Sequence, residues 1–82
     1  MQVYASIQAE SSGRVYVIFQ DETKYHWVRA SPGMGMNGPF EDFQSLFQSM
    51  ARLEGKSADH WASVFTTFYP NMPVTQRRIL MA

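Results

Sequence analysis

Arg14-Val15-Tyr16-Val17-Ile18-Phe19-Gln20, a polar break at Asp21-Glu22-Thr23-Lys24, and then Tyr25-His26-Trp27-Val28-Arg29-Ala30 form the stretch whose reading decides the fold. It is rich in β-branched and aromatic residues, which suit a pleated, half-buried surface, and the break between its halves is made of turn formers. Upstream, Val3, Ala5 and Ile7 alternate with Tyr4, Ser6 and Gln8 until the cluster Glu10-Ser11-Ser12-Gly13. Three strands joined by short polar turns form an antiparallel meander, because parallel neighbours need crossovers of about a dozen residues or more.

Register follows from the turn length. With two or four residues in the second turn, Phe19 faces His26, Val17 faces Val28, Ile18 faces Trp27 and Gln20 faces Tyr25. Val3, Ala5, Ile7, Val15, Val17, Phe19 and Val28 then share one face. Tyr4, Tyr16, Ile18, Tyr25 and Trp27 share the other, with Ser6, Gln8, Arg14, Gln20 and Arg29. A turn of three or five residues would flip the third strand alone.

Downstream the period changes. Phe40, Phe43, Leu46, Phe47, Met50 and Leu53 make an apolar stripe at helical spacing, opposite Gln44, Ser45, Gln48 and Arg52. Gly38-Pro39 is read as the helix opening, with Glu41 and Asp42 in the first turn and Gly55 as the stop. Ser57 caps a second helix carrying Asp59 in its first turn and Trp61, Val64, Phe65 and Phe68 on its apolar side, ending before Pro70. The tail from Val74 to Met81 reads as a short helix, with an edge strand as the alternative.

The expected fold is therefore α+β: a three-stranded antiparallel meander with two C-terminal helices packed on one face. It forms a single domain over 1–82, divided into a sheet (1–30), a Gly/Met loop (31–39), a helical hairpin (40–69) and a tail (70–82). The helices are expected to cover the aliphatic face and to leave the aromatic one exposed.

Composition narrows the function. Seven basic residues balance seven acidic ones, so nucleic acid is disfavoured for want of the charge excess that drives phosphate binding. The chain has no cysteine, hence no disulfide framework and no thiolate metal site, and a cytoplasmic location is the default expectation. The N-terminal residues carry no signal-peptide pattern, and no apolar run is long enough to span a membrane. His26 and His60 lie in different elements, Asp59 and His60 are neighbours on a helix and point apart, and Ser57 is a cap, so no catalytic triad or metal set assembles. Catalytic, metal and cofactor residues are therefore expected to be none, and the chain is not expected to be an enzyme. The glycines of the Gly/Met loop match neither the phosphate loop nor the dinucleotide fingerprint.

What remains is the aromatic face. Tyr and Trp are enriched in interface cores, so the expected partner-binding residues are Tyr4, Tyr16, Ile18, Tyr25, Trp27 and Arg29, with Met34 and Met36 as adaptable contacts at the rim. The partner would be a larger host protein or complex. Alternatives are single-stranded nucleic acid stacked on the same rings, or a homodimer in which two such faces cover each other.

The run Gly13-Arg14-Val15-Tyr16-Val17-Ile18-Phe19-Gln20-Asp21-Glu22 resembles the opening hairpin of the small MbtH-like partners of peptide synthetases. The resemblance covers ten residues. That family's tryptophan and proline positions do not follow, since Trp27 precedes Val28-Arg29 and Pro32-Gly33 lacks a tryptophan, so it brings over no function. In size, neutral charge, absence of cysteine and sheet-plus-helix build the chain is also similar to phage-encoded inhibitors of host machinery, including anti-CRISPR proteins. That similarity implies an inhibitor docking on a host protein and assigns no residue.

Overall fold

In the computed structural model of the chain, residues 1–30, 35–68 and 78–81 are described. They form strands β1 (Gln2–Ala9), β2 (Val15–Asp21), β3 (Lys24–Arg29) and β4 (Asn37–Phe40), helices α1 (Phe43–Glu54) and α2 (Ala58–Phe68), and strand β5 (Arg78–Met81). The architecture is α+β: a mixed five-stranded sheet in the order β4-β3-β2-β1-β5, with two helices on one face. The β2–β3 register is the expected one, with Phe19 opposite His26, Val17 opposite Val28, Ile18 opposite Trp27 and Gln20 opposite Tyr25.

The face that the helices cover is the aromatic one, opposite to expectation. Tyr16, Ile18 and Trp27 are at most 1 % exposed and join Leu46, Phe47, Met50 and Ala51 of α1 and Trp61 and Phe65 of α2 in one core. The physical reason is area. A Tyr or Trp buries roughly 150–250 Å², so apolar burial favours turning these rings inward over turning the valines inward.

A β-bulge makes β1 fit this choice. Val3 pairs with Phe19 and Ala5 with Ile18, so Tyr4 is an extra residue and the remainder of the strand flips face. Ala5, Ile7 and Ala9 therefore lie in the core beneath Tyr16 and Ile18 and not with the β2 valines. Tyr4 itself stays on the helix side, where its ring meets Tyr25, Phe43 and Phe65 at centroid distances of 5.6, 5.5 and 6.4 Å.

Two further expectations change. The segment Asn37–Phe40 is an edge strand paired with β3, and α1 starts later than Pro39: Asp42 is its N-cap, accepting from the Ser45 N–H at 2.8 Å. Pro39 suits an edge strand, where no ladder bond is demanded of it. Gly38 suits its place too, since at φ +128° a Cβ there would stand 2.8 Å from both His26 Nδ1 and the Tyr25 carbonyl oxygen. Of the tail, Arg78–Met81 form β5, parallel to β1, which buries Ile79 beside Ile7, as in the strand alternative; the expectation for residues 74–77 lies outside the described residues.

The remaining helix signals hold. Gly55 closes α1 in the left-handed region at φ +67°, and the Ser57 hydroxyl accepts from the His60 N–H at the start of α2. The apolar side of α1 runs through Leu46, Phe47, Met50 and Ala51 and leaves Leu53 exposed.

Trp27→Ala is expected to remove about 3–5 kcal/mol of stability, the usual cost of emptying a large aromatic site; denaturant unfolding measures it. Glu22, held at φ +56° in the β2–β3 turn, occupies a conformation that costs a non-glycine residue about 1–2 kcal/mol. Glu22→Gly is expected to raise the unfolding midpoint, its relief of strain exceeding the added chain entropy.

Candidate functional site

The sequence-derived surface divides into residues the fold hides and residues it leaves outside. Tyr16, Ile18 and Trp27 are core. Tyr4 and Tyr25 are half-buried under Phe43, with Tyr25 and Phe43 centroids 4.5 Å apart. Arg29 is half-buried as the cross-strand neighbour of Tyr16. Met36 is 51 % exposed, and Met34 lies outside the described residues. The rings expected to meet a partner, or to stack nucleobases, are thus engaged with the protein's own helices.

Their polar tips explain how they can be buried. Trp27 Nε1 donates to Ser49 Oγ at 3.0 Å, and the Tyr16 hydroxyl donates to Glu54 Oε1 at 2.7 Å. The Glu54 side chain is only 3 % exposed; it also accepts from the Ser12 hydroxyl at 3.0 Å and faces Arg14, whose Nη1 is 3.7 Å from Oε2. Ser49 and Glu54 lie three residues beyond Leu46 and Ala51, so helical spacing turns both toward the sheet. Burial, together with the hydrogen bond to Glu54 and its negative charge, pushes the Tyr16 phenol up to about 12, against a smaller downward pull from Arg29 and Arg14. The cluster ties the β1–β2 turn and β2 to the end of α1, and every polar group in it has a structural partner.

A depression of about 420 Å³ is lined by Met1, Gln2, Gln20, Asp21 and Glu22. That lining holds two carboxylates but no histidine, serine or lysine with which general acid–base or nucleophilic chemistry could be built. Among the described residues no group of three His, Cys, Asp or Glu side chains is placed to hold a metal ion. No described helix is long and apolar enough to cross a membrane.

Among the described residues no helix covers the reverse of the sheet. Val15, Val17 and Phe19 of β2 stand there with Val28 and His26 of β3, Ser6 and Gln8 of β1, and Val3 and Leu80 at 55 % and 57 % exposure. In the middle row Ser6, Val17 and Val28 lie side by side; in the next are Val3, Phe19 and His26. The β2 and β3 residues of this face are half-buried. Alternation along β2 and β3 made this face legible as a set, but put it under the helices. A sequence signal for the true orientation is the pairing of Trp and Tyr tips with Ser49 and Glu54 on the inner side of a helix. Comparison with protein families, curated proteins and solved structures finds no match to the chain.

Tyr16 titration gives a test of the buried cluster. Its pKa is higher in the folded chain than the ordinary value of 10.0, so the stability it contributes is complete below pH 10 and is lost as pH rises through about 12. Tyr16→Phe is expected to cost about 1–3 kcal/mol near neutral pH and to make the alkaline fall in stability shallower, as read by denaturant unfolding from pH 8 to 12.

Proposed function

We propose that this chain is a non-catalytic protein-binding module that docks through the open aliphatic face of its sheet. The observation that carries the reading is the orientation of the sheet: with the aromatic rings turned in, Val3, Val15, Val17, Phe19, Val28 and Leu80 form an outward set that no described helix covers. Contiguous apolar surface of this kind marks interaction sites on small soluble domains. Its chemistry is suited to another protein. A nucleic-acid surface would need several stacking rings and a basic groove, whereas the rings this face offers among the described side chains are Phe19 and the neighbouring His26 imidazole, and the chain carries no net charge. The likeness to phage-encoded inhibitors contributes no residue to this reading. A larger host protein and a second copy of the chain are both occupants of the proposed class.

Val17→Lys places a charge at the centre of the face, and Ser6→Arg fills the neighbouring position from a site that is already polar. Used as affinity baits with the wild type, both are expected to lose the specific partner, while Gln48→Arg on the exposed side of α1 retains it. Retention by both face variants, with circular dichroism showing a folded domain, would refute the reading.

A further inference from the structure

Strand β4 carries Asn37-Gly38-Pro39-Phe40 at the edge of the sheet. We propose that Asn37 is a spontaneous deamidation site in the folded protein, converting to aspartate and isoaspartate, and that the isoaspartate form releases β4 from β3.

Asparagine is among the thermolabile residues, and its reactivity depends on the residue that follows it. The Gly38 backbone nitrogen attacks Asn37 Cγ. The N–Cγ bond forms, the Cγ–Nδ2 bond breaks, and the proton shed by the Gly38 nitrogen leaves with the amide as ammonia. Water then opens the resulting succinimide at either of its carbonyls and leaves a carboxylate. Opening at one carbonyl restores the ordinary backbone, as aspartate; opening at the other routes the chain through Cβ, as isoaspartate, with an extra backbone atom. Water is the single co-reactant. A side chain on the following residue hinders the attack, and glycine has none.

The fold demands that glycine. Gly38 sits at φ +128°, and a Cβ there would stand 2.8 Å from both His26 Nδ1 and the Tyr25 carbonyl oxygen. The seating of β4 on β3 therefore places after Asn37 the residue that leaves its amide most open to attack.

Ring closure needs rotation about the Asn37 Cα–C bond, because an extended strand directs the Gly38 nitrogen away from the side chain. β4 offers little resistance to that rotation. It is an edge strand, its register on β3 consists of Asn37 opposite Trp27 and Phe40 opposite Tyr25, and the ladder is irregular between those pairs. Pro39 brings no N–H to the ladder. The Asn37 side chain has a local hydrogen bond, Nδ2 donating to the Gly35 carbonyl oxygen at 2.9 Å. Gly38 and Pro39 are exposed, so water reaches the ring. Short, exposed edge segments of this kind open at low free energy.

The two products differ in consequence. Aspartate keeps the backbone and adds a negative charge to a chain of zero net charge. Isoaspartate also lengthens β4 between its two pairs, which moves Gly38 out of its close seat on His26 and Phe40 out of register with Tyr25.

Peptide mapping by mass spectrometry, with isoaspartate labelled by an isoaspartyl methyltransferase, follows the folded wild type through incubation at pH 8. The chain's other asparagine, Asn71, precedes Met72 and is the internal reference. Conversion at Asn37 is expected to run about tenfold faster than at Asn71, with isoaspartate among the products. Conversion no faster than at Asn71, or more than a hundredfold slower in the folded chain than in urea, overturns the site. The isoaspartate form, separated by ion exchange, is expected to raise hydrogen exchange of the β3 amides that face β4 at least tenfold, while Asn37→Asp, which has the charge and the ordinary backbone, retains wild-type protection. Unchanged exchange in the isoaspartate form, or an equal rise in Asn37→Asp, overturns the release of β4 by the lengthened backbone.

Discussion

The fold depends on burying two polar-tipped rings side by side. Tyr16 and Trp27 pack edge to face at 5.4 Å, and Tyr16 meets Trp61 of α2 at 6.3 Å. Neither ring could be enclosed at that depth with its O–H or N–H unpaired, because a buried orphan donor costs on the order of 1–3 kcal/mol. α1 removes that cost through Ser49 and Glu54. Those two hydrogen bonds fix which way the helix faces and how far along the sheet it sits, and its cap at Asp42 and stop at Gly55 fall at the ends of the segment so placed.

The rest of the sheet adapts to that constraint. Once the rings of β2 and β3 point toward the helices, an unbroken β1 would bring Tyr4 and its polar partners inward and Ile7 outward. The bulge at Tyr4 resolves the conflict by keeping Tyr4 against Phe43 while returning Ala5, Ile7 and Ala9 to the core. The small side chains of Ala5 and Ala9 leave room there for the rings. β5 extends the same inner surface through Ile79, and β4 closes the other edge with Phe40 opposite Tyr25. With every large ring of β2 and β3 except Phe19 drawn to one side, the outer face is left aliphatic, and that is the origin of the proposed docking surface.

Much of this was legible in the chain. The three strands, the β2–β3 register, the two helices and the signals at Gly55 and Ser57 follow from local rules of period, turn length and capping, which act over a few residues. The candidate site was legible only as two alternating sets. Choosing between Tyr16, Ile18 and Trp27 on one side and Val17, Phe19 and Val28 on the other requires knowing what the covering helix carries, and alternation is blind to that. Asn37–Phe40 reads as a helix opening and Arg78–Met81 reads as helix or as edge strand for a related reason: a short edge strand has little period of its own and is defined by the strand it joins.

The sequence by itself determined β1 to β3, the two helices and the partition of β2 and β3 into an aromatic and an aliphatic face, since these follow from side-chain order along the chain. Only the tertiary structure decided which face is inside. That choice compares buried area and hydrogen-bond satisfaction between segments more than twenty residues apart, Tyr16 with Glu54 and Trp27 with Ser49, and through the bulge at Tyr4 it reassigns half of β1 as well.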